Sequence, residues 1–365
     1  GAKATLDAAK HSTIHVQAVH PEDNVGTNLA DELTPLNYYT ILSDEEPASV
    51  YTNANLRSFR ITQPLQINME NDSLHMRFYS PVGIKEVTVM AKSPTMDEYV
   101  EFVYIDNIPA FADIKTSIKV LEKGLYRTES GKIQQLSAEE INPASLSLKI
   151  SCNDPYWTKI SQIKAKWYIK FVLNGGNPVT GVPNNNWWGI RPVHCREAVA
   201  LYLNIGYMCT LEKFQQRVST FQGTLLYNNR YPIDTSTIIP KLENLSGFDI
   251  GLVYSGNGVS GLGGGRTWGV YQKSFLYHYE NSGGCCSTIF HELGHCLGYN
   301  HNSTMTYGKW ASGCADVFYK NNIKDFPVNS HTILKSRRIP ISTNNYETFV
   351  CYYICIIFNT LHRML

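Results

Sequence analysis

Hydrophobic and polar residues alternate along much of the first 150 residues of the chain. Six segments show this period of two: 12–20, 58–69, 73–80, 85–93, 98–105 and 145–150. Alternation at this period is typical of a strand with one buried face. Turn-forming runs such as HPEDNVGTN and MENDS lie between the segments. Several short strands in succession predict a β-rich, sandwich-like accessory domain over residues 1–152.

The pattern changes in the second part of the chain, where strand-like and helix-like segments alternate. The helix-like segments carry apolar residues at three- and four-residue spacing. The predicted strands are 163–173, 247–256 and 267–275, and the predicted helices are 196–208 and 210–221. We therefore predict an α/β or α+β domain over residues 153–365. The whole chain is then expected to be a multidomain α+β protein.

Composition narrows the class of protein without naming an activity. A length of 365 residues favours two domains, and a hydrophobic content of 43% is enough for a substantial core in each. The formal net charge is +1, so charge gives no reason to expect a nucleic acid or an anionic membrane as partner. The nine cysteines match no zinc-ribbon spacing and do not settle the compartment.

The ends of the chain carry no obvious targeting or membrane segment. The opening GAKATLDAAKHST is polar and has no visible signal peptide, so we expect a mature or trimmed form. The apolar run 349–358 is shorter than the roughly 20 residues that a membrane helix needs. We expect this run to be a buried terminal strand, and we expect no transmembrane span.

Two further features are given structural rather than chemical interpretations. The segment SGNGVSGLGGGR contains G-x-G-x-x-G at Gly256, Gly258 and Gly261, but more glycines follow where a dinucleotide site needs a helix. We predict a flexible loop at the rim of an active site. The histidines of the first domain, which include His75, have no partner at a ligand-like spacing, and we interpret them as surface or packing residues.

The chemistry is concentrated in the segment HELGHCLGYNH, residues 291–301. His291 and His295 are four residues apart, which places both rings on one face of a helix where they can bind one ion. Glu292 lies about 100° around that helix from His291 and is free to act as a base. Gly298 tolerates the left-handed conformation that ends a helix, so His301 can return to the metal as a third ligand.

This spacing resembles the H-E-x-x-H-x-x-G-x-x-H consensus of the metzincin zinc peptidases. The resemblance implies a zincin-type catalytic domain, Zn²⁺ held by His291, His295 and His301, and Glu292 as general base. It also implies that Met305 forms the family's methionine turn beneath the metal and that Tyr307 approaches the metal as in astacin- and serralysin-like members. Met305 follows His301 by only four residues, so simple packing remains the alternative for both.

The function expected from this resemblance is that of a secreted zinc endopeptidase. It would hydrolyse a protein or glycoprotein substrate with a zinc-bound water that Glu292 activates. One alternative is a non-catalytic surface or adhesion protein with a structural zinc site, and another is a zinc hydrolase that acts on a non-peptide bond. The location would be extracellular or at the cell surface.

Overall fold

The computed structural model describes residues 16–21, 27–33, 35–71, 73–117, 124–136, 143–276, 285–330 and 332. The predicted terminal strand at 349–358 and the start of the first predicted strand fall outside these ranges. Within them, no helix has the length and apolar character needed to cross a membrane.

The first part of the chain is built from antiparallel sheets. The strands are β1 (Val16–Pro21), β2 (Thr27–Leu33), β3 (Pro35–Thr40), β4 (Ser58–Arg60), β5 (Leu65–Glu70), β6 (Ser73–Phe78), β7 (Ile84–Lys92), β8 (Val100–Ile108), β9 (Ala112–Ser117), β10 (Gly124–Arg127), β11 (Ile133–Leu136) and β12 (Ser147–Cys152). One sheet has the strand order β12-β7-β8-β1-β2, another has the order β3-β9-β6-β5, and β10 and β11 form a hairpin. A short helix, α1 (Ala48–Tyr51), precedes β4.

The two larger sheets of this part share one hydrophobic core. In β6 every second residue is buried, which is the alternation that the sequence predicts. Met76 and Phe78 from β6 lie in the same buried cluster as Val87 from β7 and Val103 from β8. The β-rich character predicted for the first part is therefore confirmed.

The second part combines a mixed sheet with helices. The strands are β13 (Tyr168–Phe171), β14 (Trp187–Trp188), β15 (Leu226–Tyr227), β16 (Tyr231–Pro232), β17 (Gly247–Val253), β18 (Gly261–Gly264) and β19 (Thr267–Tyr271). The helices are α2 (Pro155–Ile160), α3 (Pro192–Thr210), α4 (Glu212–Ser219), α5 (Ile238–Glu243), α6 (Gln272–Leu276), α7 (Cys285–Cys296) and α8 (Val317–Asn322). Short 3₁₀ turns and a π-helical turn at Ala311–Asp316 complete it.

The mixed sheet has the order β18-β19-β17-β13-β4, and β14 also pairs with β17. Strands β13, β17 and β19 are parallel, whereas β18 runs antiparallel to β19 at one edge. Helix α3 is buried on nearly all sides, as expected of a helix inside a large core. The predicted helices 196–208 and 210–221 are present as α3 and α4, and the predicted strands 163–173 and 247–256 are present in shorter form as β13 and β17. The predicted strand 267–275 is wrong at its end, because β19 stops at Tyr271 and Gln272–Leu276 form α6. The several sheets and helices are compatible with the α+β class.

One segment of the first part belongs to the second core. The single strand predicted at 58–69 is wrong, because the chain forms two strands, β4 and β5, with a break that contains Pro64. Proline has no N–H to donate and so interrupts a strand ladder. Strand β4 pairs with β13, and Phe59 and Ile61 are buried in the core of the second part. The predicted division at residue 152 therefore does not separate the two cores completely.

The glycine-rich segment is also more regular than predicted. Instead of a flexible loop throughout, its second half is β18, paired with β19 from Gly261 to Gly264. Gly258 has a φ of 73°, in the left-handed region, and ends the turn before the strand. No helix follows the glycines, so the geometry needed for a dinucleotide site is absent from this described segment.

Candidate metal centre

Helix α7 carries two of the three predicted ligands. His291 and His295 are one turn apart near its C-terminal end, and their ring centroids are 4.8 Å apart. Ile289, Phe290 and Leu293 from the same helix are buried in the core. The apolar face therefore fixes the helix against the sheet while the two imidazoles face outward from the core.

The chain reverses directly after this helix, as the glycine predicts. Gly298 has a φ of 92°, which is left-handed. The Gly298 N–H donates to the His295 carbonyl at 2.9 Å, and the Tyr299 N–H donates to the Gly294 carbonyl at 3.1 Å. This pair of hydrogen bonds is the Schellman arrangement that ends helices at a glycine. The turn directs the chain back towards the histidines, where His301 lies.

The three imidazoles converge through their Nε2 atoms. The Nε2 of His295 lies 3.2 Å from that of His291 and 3.0 Å from that of His301. One ligand atom from each ring lies within 4.8 Å of the others. Across the ranges that the structure describes, these three histidines are the group of ligand-type side chains that converges in this way, and they can hold a metal ion.

Backbone carbonyls fix which nitrogen faces the centre. The Nδ1 of His291 donates to the carbonyl of Thr306, and the Nδ1 of His295 donates to the carbonyl of Tyr299 at 2.7 Å. A carbonyl oxygen only accepts, so the proton of each neutral ring lies on Nδ1 and the lone pair on Nε2. Two Nε2 lone pairs that face each other repel unless a cation lies between them. The hydrogen bonding therefore fits a metal site.

The electrostatics favour the neutral form that ligation requires. Burial lowers the pKa of His291, although its hydrogen bond to Thr306 opposes the shift. Burial also lowers the pKa of His295. A neutral imidazole is the species that binds a metal. The site is therefore arranged for ligation before any ion arrives.

The Glu292 carboxylate lies beside the histidines without belonging to the ligand group. Its side chain is almost fully buried, with 5% relative exposure, and its Oε1 lies 3.9 Å from the Nε2 of His291. Burial raises the pKa of Glu292 to about 7. A cation held by the histidines would favour the charged form of this carboxyl. A buried carboxylate next to a possible metal is positioned to exchange a proton there.

Met305 and Tyr307 both lie close to the ligands, despite the short separation from His301. Met305 is fully buried, and a Cβ on Gly294 would lie 2.6 Å from its carbonyl oxygen, so the backbone passes directly against α7. The Tyr307 ring centroid lies 4.8 Å from that of His291 and 5.3 Å from that of His301. Tyr307 as a whole is 53% exposed, so it lies at the surface next to the site.

Strand β15, which pairs with β16, holds the loop between His301 and Met305 through hydrogen bonds. The Leu226 carbonyl in β15 accepts from the Thr304 N–H at 3.2 Å and from the Ser303 hydroxyl at 2.8 Å. In return, the Leu226 N–H donates to the Thr304 hydroxyl at 2.7 Å. These bonds fix the position of the loop between His301 and Met305.

Some of the supporting residues were not found from the sequence. The carbonyls of Tyr299 and Thr306 carry no side-chain signature, so no motif could reveal them. Gly294 did offer a signal, because a glycine inside an otherwise helical segment usually has a packing reason. That reason is the close approach of the Met305 backbone.

No protein-family model, curated protein or solved structure matches this chain.

Proposed function

We propose that this protein is a zinc-dependent endopeptidase of the metzincin type, with a zincin-like catalytic domain in its second part. The observation that carries the proposal is the convergence of three imidazole Nε2 atoms beside the buried carboxylate of Glu292. The substrate is a protein or glycoprotein, and the location is extracellular or at the cell surface, as the resemblance to secreted metallopeptidases implies.

Zinc is the metal that this donor set suits best. Three nitrogen donors with a free fourth position are the common arrangement of catalytic zinc sites. At Zn–N distances of about 2.0–2.1 Å, two nitrogens of a tetrahedral site lie about 3.3 Å apart. Two of the three Nε2 separations, those of 3.2 and 3.0 Å from His295, are close to this value, and all the ligand atoms lie within 4.8 Å of one another. Calcium and magnesium prefer oxygen ligands, which this group of three does not provide.

The residues of the chain then have separate tasks in peptide hydrolysis. When bound, zinc supplies a Lewis acid that polarises a carbonyl and acidifies water. The Glu292 carboxylate accepts a proton from the attacking water and donates it to the nitrogen of the leaving amine. The exposed Tyr307 hydroxyl donates a hydrogen bond to the oxyanion that forms at the attacked carbonyl. Strand β18 is at the edge of the sheet and offers its backbone to an extended substrate.

The test compares wild type with Glu292→Gln, which keeps the size of the side chain but removes its basicity. Zinc content is measured by atomic emission, and cleavage is measured on casein and on a mucin-type glycoprotein. We expect the variant to retain zinc and to lose about 10²–10⁴-fold in cleavage rate. The matched control is Glu45→Gln, a change of an exposed carboxylate, which should leave both readings unchanged. Equal cleavage by Glu292→Gln and wild type would contradict the role of Glu292.

A non-catalytic protein with a structural zinc is the second candidate, and the position of Tyr307 favours it. A tyrosine whose ring lies beside two of the ligands can close the fourth position permanently. In that case wild type would bind zinc and cleave neither substrate, and Tyr307→Phe would weaken zinc binding. A peptidase instead retains zinc in Tyr307→Phe and loses cleavage rate. Activity of wild type on esters alone would favour a zinc hydrolase of non-peptide bonds.

A further inference from the structure

Strand β18 presents glycines to the helix that carries the metal ligands. Successive residues of a strand point to opposite faces, so Gly261 and Gly263 share one face. Both lie against Glu292 of α7. Glycine in a strand interior usually weakens the strand, and it commonly marks a place where another group approaches closely. Here the approaching group is the carboxylate that the proposed function makes the general base.

Both glycines lie against the carboxylate of Glu292, but only Gly263 also lies against its backbone. A Cβ on Gly261 would overlap the carboxylate oxygen Oε1 and would lie 2.7 Å from Cδ and 2.8 Å from Cγ. A Cβ on Gly263 would lie 2.6 Å from the backbone oxygen of Glu292, 2.7 Å from its carboxylate oxygen Oε2 and 3.0 Å from its Cα. Real Cβ atoms essentially never approach this closely. At Gly261 the overlapping atoms are the end of a flexible side chain, whereas at Gly263 they include the backbone of α7.

The consequences of adding a methyl group therefore differ. At position 263 the helix backbone must shift, and the metal ligands on the same helix must shift with it. At position 261 the side chain of Glu292 can rotate away while α7 stays in place. The bare backbone at position 261 therefore leaves room for the carboxylate where it now lies, close to the His291 Nε2 atom.

We propose that Gly261 is a positioning residue, which holds the Glu292 carboxylate beside the three histidines because it has no side chain. This inference rests on the proposed function for its catalytic consequence, although the packing itself is independent of activity. The strand thus has two tasks, since its free edge faces substrate and its inner face sets the position of the base.

The kinetic experiment uses Gly261→Ala and the control Gly308→Ala. Gly308 has open space where a Cβ would stand and no positive φ, so this control adds the same methyl group without overlap. We expect Gly261→Ala to retain zinc, to leave KM unchanged and to lower kcat by about 100-fold, as a misplacement of about 1 Å can do. Replacing Glu292 by the shorter Asp should lower kcat less in the Gly261→Ala background than in wild type.

A second experiment needs neither metal nor substrate. The Tm of the metal-free protein is measured for wild type, Gly261→Ala, Glu292→Ala and the double variant. We expect Gly261→Ala to lower the Tm of wild type and to raise or preserve the Tm of Glu292→Ala, since the overlap is then gone and alanine suits a strand better than glycine. A crystal structure of metal-free Gly261→Ala should place the Glu292 carboxylate more than 1 Å from its wild-type position.

The outcomes separate the two proposals. In one outcome, wild type cleaves neither substrate while Gly261→Ala changes the Tm differently in wild type and in Glu292→Ala. In that case the endopeptidase proposal fails and the packing of Gly261 on Glu292 stands. If wild type cleaves and Gly261→Ala keeps its kcat, Gly261 is not a positioning residue and the endopeptidase proposal stands. Equal Tm changes in both backgrounds would overturn the contact itself.

Discussion

The histidines of the two parts of this molecule have opposite surroundings. In the first part, His75 lies between two carboxylates, with Nδ1 2.7 Å from Glu70 Oε1 and Nε2 2.5 Å from Asp113 Oδ1. In the second part, His291 and His295 direct Nδ1 to backbone carbonyls and Nε2 to other imidazoles. The same side chain is therefore an ion-pair partner in one part and a candidate metal ligand in the other.

The difference shows what decides the chemistry of an imidazole. The hydrogen bond to Asp113 raises the pKa of His75, and the bond to Glu70 acts in the same direction. The proton of each ring nitrogen is then shared with a carboxylate, which leaves no lone pair for a metal. Burial lowers the pKa of His291 and His295 and keeps their Nε2 lone pairs free. The neighbouring acceptors, more than the histidines themselves, separate the two sites.

Among the changes that test this difference between the histidines, we expect the loss of a metal ligand to have the largest effect. We expect His295→Ala to lose zinc affinity by more than the roughly 10- to 100-fold that removal of an outer-shell partner costs. The matched change in the other part, His75→Ala, should leave zinc affinity unchanged. The measurement is competition for zinc with a chromophoric chelator. Equal losses of zinc affinity in the two variants would mean that zinc binding does not depend on the group of His291, His295 and His301.

A smaller effect should follow from the close packing of the Met305 backbone against α7, next to the candidate metal ligands. Gly294→Ala places a methyl group against the Met305 carbonyl, and we expect it to lower the free energy of unfolding by about 1–3 kcal/mol. The gain of about 0.5–1 kcal/mol from alanine in a helix does not offset an overlap with backbone. The control Gly308→Ala should change stability by less than about 0.5 kcal/mol.

Chemical denaturation monitored by circular dichroism measures the free energy of unfolding of Gly294→Ala and Gly308→Ala. The titration of His75, followed by NMR in the same proteins, should be unchanged in each because its cluster lies on other elements. A Gly294→Ala protein as stable as wild type would contradict the close approach of Met305 to α7.

The smallest expected effect is the pH dependence of the stability that His75, Glu70, Asp113 and Lys115, the His75 cluster, contribute. The folded pKa of His75 is raised, so its stabilising contribution is full below about 6.5 and is lost as the pH rises through the folded value. The bonds to Lys115 and His75 lower the pKa of Glu70 from 4.5 to about 2, so its contribution is full above about 4.5 and is lost as the pH falls towards 2. The cluster should therefore stabilise most between about pH 4.5 and 6.5.

The size of this pH effect is limited by solvent. Glu70 and Lys115 are more than a third exposed, and exposed ion pairs contribute only about 0–1 kcal/mol. The measurement is the Tm of wild type and of His75→Gln across pH 3 to 9. We expect wild type to exceed the variant most near pH 5.5. A difference between the two proteins that is constant with pH would contradict the ion-pair description.

The sequence could predict the features that depend only on residues close to one another along the chain. The α7 helix, its glycine end and the positions of His291, His295 and His301 follow from spacings of a few residues. The position of Met305 was less predictable, because only the packed structure reveals that its carbonyl lies against Gly294.

Features that join distant parts of the chain could not be predicted in the same way. Strand β4 pairs with β13, about a hundred residues later, and nothing in the alternation of either strand identifies the partner. The His75 cluster was missed for the same reason, since Asp113 is brought to it by the pairing of β6 with β9. Likewise, the glycines of β18 suggest a flexible loop when only the sequence is considered. The structure shows that they form a strand and leave room for the Glu292 carboxylate.

The most direct test of the central claim is a crystal structure of the zinc-loaded protein with anomalous diffraction at the zinc edge. We predict one peak about 2.0–2.1 Å from the Nε2 atoms of His291, His295 and His301, with the Glu292 carboxylate outside the ligand set. A peak at any other place, or a peak that His301 does not ligate, would contradict the claim.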